Sequence, residues 1–415
     1  MRYLTLPRLA LALALACAAA AQPLTYPIVD TGQDACFDNY QQIAPPVEGQ
    51  SFYGQDAQYS GHQPSYQDNG NGTVSDLVTG LMWQKEPDLE QKATFREALE
   101  GAKTFRMGGY SDWRLPTLKE LYSLIDFRGS APRNIPYIDA HYFAFRFGEE
   151  ARGERPIDAQ YWSSTPYLGT TFGGSVTQFG VNFADGRIKG YPRDMGPRGE
   201  ENRQFVRYVR GPTTYGKNDF VDTGKGTITD RATGLTWTKG DSGSFHAGTL
   251  KDGRLNWEQA LAWAEGLDFA GHSDWRLPNA KELQSIVDYD RAPDATDPAK
   301  RGPAIAPIFD ITEPESYFWT STTHLDTPQG ATQAVYLAFG RACGVWRNAW
   351  GQTGLWDVHG AGAQRSDPKA GNPDYFPYGR GPQADDIRIF NYARAVRGGL
   401  VEAGGQPSAA SSAAP

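Results

Sequence analysis

The residues best suited to chemistry lie late in the chain. Between Arg341 and Tyr392 stand Trp346, Arg347, Trp350, Trp356, Asp357 and Tyr375, spaced among glycines and prolines. Flat indole and phenol faces with polar rims suit sugar rings or peptide side chains. A neighbouring guanidinium or carboxylate would orient such a ligand. This is binding chemistry, and the groups needed to break bonds are not arranged beside it. His62, His141, His246, His272, His324 and His359 make no i,i+4 pair and no His-Glu-x-x-His. No Gly-x-Ser-x-Gly elbow and no phosphate-cradling loop occurs. Two clusters, Asp68-Asn69-Gly70-Asn71-Gly72-Thr73 and Asp222-Thr223-Gly224-Lys225-Gly226-Thr227, have the composition of calcium loops. Thr73 and Thr227 stand where that loop requires glycine, so both are read as tight turns. No catalytic residue, metal ligand or cofactor is expected.

The elements that must position these residues come in two copies. Ser111-Asp112-Trp113-Arg114-Leu115-Pro116-Thr117-Leu118-Lys119-Glu120-Leu121 returns as Ser273-Asp274-Trp275-Arg276-Leu277-Pro278-Asn279-Ala280-Lys281-Glu282-Leu283. Each copy reads as an extended entry held by proline, then a helix opened by a capping box. Leu121, Leu124 and Ile125, and their counterparts Leu283, Ile286 and Val287, form its apolar face. An earlier helix is capped by Thr94 or Asn256. Its predicted stripe is Phe95, Ala98, Leu99 and Ala102 in one copy, and Trp257, Ala260, Leu261 and Ala264 in the other. Each copy opens on a short hairpin ending in Trp83 or Trp237. It continues through a long loop to Trp162 or Trp319 and closes on a strand ending at Gly211 or Gly398. Trp113, Trp162, Trp275 and Trp319 are expected in the core, and the opening and closing strands of each copy are expected to pair. Two helices on small antiparallel sheets with long loops make an α+β unit. The interval from Arg187 to Phe205 is matched by a far longer one from Arg341 to Tyr392, an insertion that the shared pattern does not need.

The 415 residues divide into a signal peptide (1–21), an irregular leader (22–65), a first unit (66–212), a second unit (213–400) and a small, polar tail (401–415) read as disordered. Arg2 and Arg8 precede a short apolar run and Ala19-Ala20-Ala21, which suits export and signal-peptidase cleavage. A rival reading makes Cys17 a lipidated N-terminal cysteine, although Ala14 stands where a lipobox carries a larger aliphatic residue. The leader is expected to lie across the first unit. No other stretch is long and apolar enough to span a membrane. The formal charge is −8, and loss of two arginines with the signal takes it to −10. That balance argues against nucleic acid and other polyanions as partners. Cys36 and Cys343 remain after cleavage, either as a disulfide in an oxidising compartment or as two free thiols.

The ordered set of motifs resembles the Lcl C-terminal domain family. It consists of the Asp-Asn-Gly-x-Gly-Thr-Val opening at Asp68, Thr-Gly-Leu-x-Trp from Thr79 and Thr233, Trp-Arg-Leu-Pro-(Thr/Asn)-x-x-Glu-Leu, aromatic-Trp-(Ser/Thr)-Ser-Thr, and the Val-Arg-Gly closing. The likeness covers roughly 66–212 and 220–399. It implies two tandem C-type-lectin-like domains in an exported bacterial protein, and an adhesin-like module that binds a glycan or an envelope or extracellular protein. The family's adhesin members are associated with sulfated glycosaminoglycans, a ligand that the negative charge here opposes. The Glu-Pro-Asn, Gln-Pro-Asp and Trp-Asn-Asp motifs of calcium-dependent sugar binding are absent from the sequence. A more distant likeness links the chain to the formylglycine-generating oxidases. Their chemistry needs two thiols near the C-terminal end, where this chain has only Cys343. The alternative to a binding module is an envelope assembly protein without a small ligand.

Overall fold

The computed structural model describes residues 23–194, 200–328, 330–347 and 349–400. The predicted signal peptide, Cys17 and the predicted tail lie outside the described residues. The fold is mixed α+β, built mainly from small antiparallel sheets. Among the described residues four helices occur: α1 (Phe95–Thr104), α2 (Leu118–Ser123), α3 (Trp257–Glu265) and α4 (Ala280–Ser285). No helix among them is long and apolar enough to cross a membrane.

All four helices open on a complete capping box: Thr94 with Glu97, Thr117 with Glu120, Asn256 with Gln259, and Asn279 with Glu282. In α2 and α4 the preceding arginine then clamps the capping glutamate. Arg114 Nη1 and Nη2 donate to the two oxygens of Glu120 at 2.7 and 2.6 Å. Arg276 donates to Glu282 at 2.6 Å through both nitrogens. One carboxylate therefore satisfies a helix-start N–H and a bidentate guanidinium together. The predicted stripe of α3 is buried throughout, whereas in α1 Leu99 is exposed. There Trp113, Trp162 and Tyr208 fill the space beside Ala98 and Ala102, leaving Leu99 outside.

The opening hairpins pair Thr73–Asp76 with Met82–Gln84 and Thr227–Asp230 with Leu235–Thr238. Asp68 and Asp222 accept the N–H groups of Gly70 and Gly224 and pair with Lys85 and Lys239. These acids serve turns. The closing strands join the same sheets beside the second hairpin strand, with Val209 opposite Trp83 and Val396 opposite Trp237. They do not pair with the opening strands, because Tyr66–Asp68 and Phe220–Asp222 occupy that edge.

The two copies are fused. A six-stranded sheet runs in the order Tyr317–His324, Gln333–Ala338, Gln364–Pro368, Arg187–Pro192, Ser175–Asn182, Gln160–Thr171, and it crosses between copies at Gln364 and Ile188. One apolar core passes through both halves, joining Trp83, Phe127 and Tyr137 to Trp237, Val287 and Phe339. Each copy adds a satellite core around its own tryptophans. The leader does not simply cover the first copy, because its hydrogen bonds reach the second copy as well. The Gln33 carboxamide exchanges two bonds with the Thr323 backbone at 2.8 and 2.9 Å. Tyr59 donates to Glu265 at 2.7 Å, and Asp56 accepts from Thr31 and Thr322 at 2.8 and 2.5 Å. The leader thus threads the seam.

Glu282→Ala should destabilise the protein by about 3–5 kcal/mol, since it strands a buried guanidinium. Glu120→Ala should cost visibly less, because the Arg114 side chain is 28% exposed and water can replace its partner. Equal losses in denaturant unfolding would contradict the clamp. Trp113→Ala should cost about 3–5 kcal/mol by the same measurement, and an unmoved transition would remove it from the core.

Candidate functional site

The residues that the copies share are consumed by the fold. Trp113, Trp162, Trp275 and Trp319 are at most 4% exposed. Their indole N–H groups donate to the carbonyls of Met107, Ala93, Phe269 and Leu255. Arg207 and Arg394, on the closing segments, each hold three backbone carbonyls. Asp112 and Asp274 pair with Arg210 and Arg397. A surface cluster of tryptophans must come from what the copies do not share.

The insertion supplies one. It is not structureless: Cys343–Arg347 and Thr353–Asp357 form a two-stranded ribbon. Its register sets Trp346 opposite Gly354 and Trp356 opposite Gly344. With period-two alternation, both indoles fall on one face, each across from a residue without a side chain. A Cβ built on Gly354 would lie 2.5 Å from Trp346 Nε1, so only glycine allows that ring to lie down. The two indoles are 5.8 Å apart and tilted by 33°. Trp350 projects from the connecting turn, 86% exposed. Arg347 lies over the Tyr378 ring at 5.1 Å, and Tyr375 stands exposed on a short 3₁₀ turn further along. Val345 N–H bonds Ala384 and Phe172 N–H bonds Asp357, which brace the ribbon on the insertion and on the first copy.

The structure thus gathers Trp346, Arg347, Trp350 and Trp356 on one protruding ribbon, with Tyr375 on the following loop. Asp357 is set apart. It is buried at the ribbon base, accepts from Tyr167 Oη at 2.6 Å and Gly360 N at 2.8 Å, and meets no aromatic of the ribbon face. The pairing of strands was missed by sequence reasoning. Its signal was the echo of Gly344-Val345-Trp346-Arg347 in Gly354-Leu355-Trp356-Asp357 around a turn. Cys36 and Cys343 stand as separate buried free thiols rather than a disulfide. Cys36 sits in a leader strand close to Asp56 and Lys369, whereas Cys343 lies near Asp357 and Arg388. Burial pushes the Cys343 thiol up to about 12, which favours its protonated form at neutral pH.

Where the copies meet, the sheet buries a charged network. Arg187 pairs with Asp326 and Asp185, and Arg365 with Asp385. His359 Nε2 lies 2.8 Å from Asp385, and His324 Nε2 lies 2.9 Å from the Asp185 carbonyl. Burial lowers both imidazoles to about 4, so they are neutral where the protein works near neutrality. Among the described residues, no group of three or more His, Cys, Asp or Glu is placed to hold a metal ion.

Comparison with known families agrees with this duplicated pattern. The model of the Lcl C-terminal domain matches residues 72–210 and again 226–358. The chain belongs to the Lcl C-terminal domain family. No curated protein matches it, and no solved structure does. The second Lcl match runs through the ribbon and stops at Val358, so Tyr375 and Tyr378 lie beyond it, as the leader lies ahead of the first.

Asp357 gives the ribbon base a pH dependence. Burial lifts its carboxyl to about 6 when folded, against about 3.9 in an unfolded chain. The folded state therefore binds this proton more tightly, and the stability it contributes is present at low pH and lost as pH rises through about 6. Asp357→Asn should gain stability relative to the parent between pH 4 and pH 7, read by melting temperature. A difference that does not change with pH would contradict this.

Proposed function

We propose that this Lcl C-terminal protein is an exported, non-catalytic, adhesin-type binding module whose ligand-facing element is the aromatic ribbon. The reading is carried by the contrast in exposure. The tryptophans that the copies share are sealed in the core, while Trp350 is 86%, Trp356 45% and Leu355 52% exposed on a ribbon that has no counterpart among the described strands of the first copy. Exposed aromatics gathered on one element signal recognition more than packing. Indole faces favour the C–H faces of sugar rings, and the acidic chain favours an uncharged glycan over a sulfated one. Export rests on the basic and apolar opening of the sequence. A C-type-lectin-like arrangement of each half is supported by its two helices, its antiparallel strands and the return of its closing strand to the opening sheet.

A second reading, docking of an envelope protein partner, is favoured by one feature. Away from the Phe172 bond at Asp357, the strand Thr353–Asp357 pairs in a ladder along one side only among the described residues, leaving a short edge that suits strand addition.

Trp350→Ala and Trp356→Ala should each abolish or strongly weaken ligand capture while leaving the melting temperature unchanged. Capture is read on a glycan array and in pull-down from envelope extract. Loss on the array supports a glycan, and loss only in pull-down supports the protein partner. Loss of stability without loss of capture would make the ribbon a piece of the fold.

A further inference from the structure

A recessed surface lies away from the ribbon's strands, where the leader meets both Lcl copies. The leader hairpin (Cys36–Phe37 with Gln42–Ile43), the loop after α2 and the turn after Tyr317–His324 enclose a cleft of about 340 Å³. That volume lies within the about 300–1,000 Å³ of small-molecule sites. Neither copy can make it alone, and the leader that completes it lies outside both family matches.

The cleft walls are held in place. Phe127 N–H donates to Thr31 O at 2.8 Å, which fixes the first copy to the leader. The Gln33 carboxamide fixes the second copy through Thr323. Lys369 Nζ holds the Asp38 carbonyl at 2.9 Å, and the Asp38 carboxylate accepts from Tyr40 N and Gln41 N at 2.7 and 2.8 Å. The turn presenting Tyr40, Gln41 and Gln42 is therefore ordered before any ligand arrives.

The chemistry of the lining is selective. Phe37 and Phe127 supply buried apolar surface, and Tyr40 offers a ring 69% exposed at the rim. Arg128 is already committed, with its Nε and Nη2 on Asp126. The groups left to meet a ligand are one carboxylate (Asp34), one guanidinium (Arg133) and the carboxamides of Gln41 and Gln42. Opposite charges and two amides give no net charge but several planar donors and acceptors. Each can hold two atoms of a ligand at once. Apolar floor, exposed ring and neutral planar edges match a ring with one C–H face and adjacent hydroxyls. A charged ligand would meet a like charge on one wall.

We propose that this seam cleft binds an uncharged saccharide, one or two rings in size, at a site separate from the ribbon. The test is titration calorimetry of the purified full-length protein with cellobiose, maltose and lactose, and with glucuronate and glycine as charged and zwitterionic probes. Saturable binding of at least one neutral disaccharide is expected. Tyr40→Ala and Arg133→Ala should each weaken it by about fivefold, with unchanged melting temperature and with no effect of Trp350→Ala. Absence of binding by all three neutral sugars, or binding of glucuronate or glycine alone, overturns the proposal. Binding that Tyr40→Ala leaves intact also overturns it. If Trp350→Ala or Trp356→Ala removes that same binding, the sugar sits on the ribbon and the ribbon reading stands by itself.

Discussion

Two lysines join the halves of this molecule. Lys119 Nζ donates to the carbonyl of Ser285 at 2.7 Å, and Lys281 Nζ donates to that of Ser123 at 2.9 Å. Each lysine therefore caps the last turn of the helix that carries its counterpart. Helices as short as α2 and α4 have little stability alone, and their terminal carbonyls face the interior. A cation from the opposite copy satisfies those carbonyls and the negative end of the helix together. Burial pushes both lysines down to about 8, the cost of keeping them inside. Lys281 also holds the Asp30 carbonyl at 2.9 Å, so the leader is tied to the same seam.

Once that seam exists, much else follows. The Arg–Glu clamps fix the first turns of α2 and α4. The six-stranded sheet closes across the joint, and the charged network of Arg187, Asp326, Arg365 and Asp385 is sealed beneath it. Such a network adds little net stability, because desolvation offsets most of the attraction. It does demand that both halves be present and in register. The duplication is thus a pseudo-symmetric single body, and surfaces needing both copies and the leader become available to it.

The division between shared and unshared residues separates buried tryptophans from exposed ones. Shared tryptophans, arginines and aspartates close hydrogen bonds inside each copy. The insertion carries its tryptophans on a ribbon at the surface, where Gly354 leaves room for the Trp346 ring. The same residue type is therefore sealed inside in one part of the chain and exposed in another, decided by whether its neighbours leave room for burial.

Much of the local architecture was legible in the sequence. Capping boxes, the helix starts, the turn chemistry at Asp68 and Asp222 and the burial of Trp113, Trp162, Trp275 and Trp319 all follow from spacing, because they rest on contacts within a few residues or on repetition. The aromatics of the insertion stood out in composition, but not as a ribbon, because its two strands pair through backbone groups that every residue carries. Only the tertiary structure decided the rest. It turned Asp357 inward onto Tyr167, kept Cys36 and Cys343 apart, drew the leader across both copies and merged two units into one sheet. Those outcomes depend on which surfaces meet at long range, and hydrophobic periodicity marks a face as buried without naming what covers it.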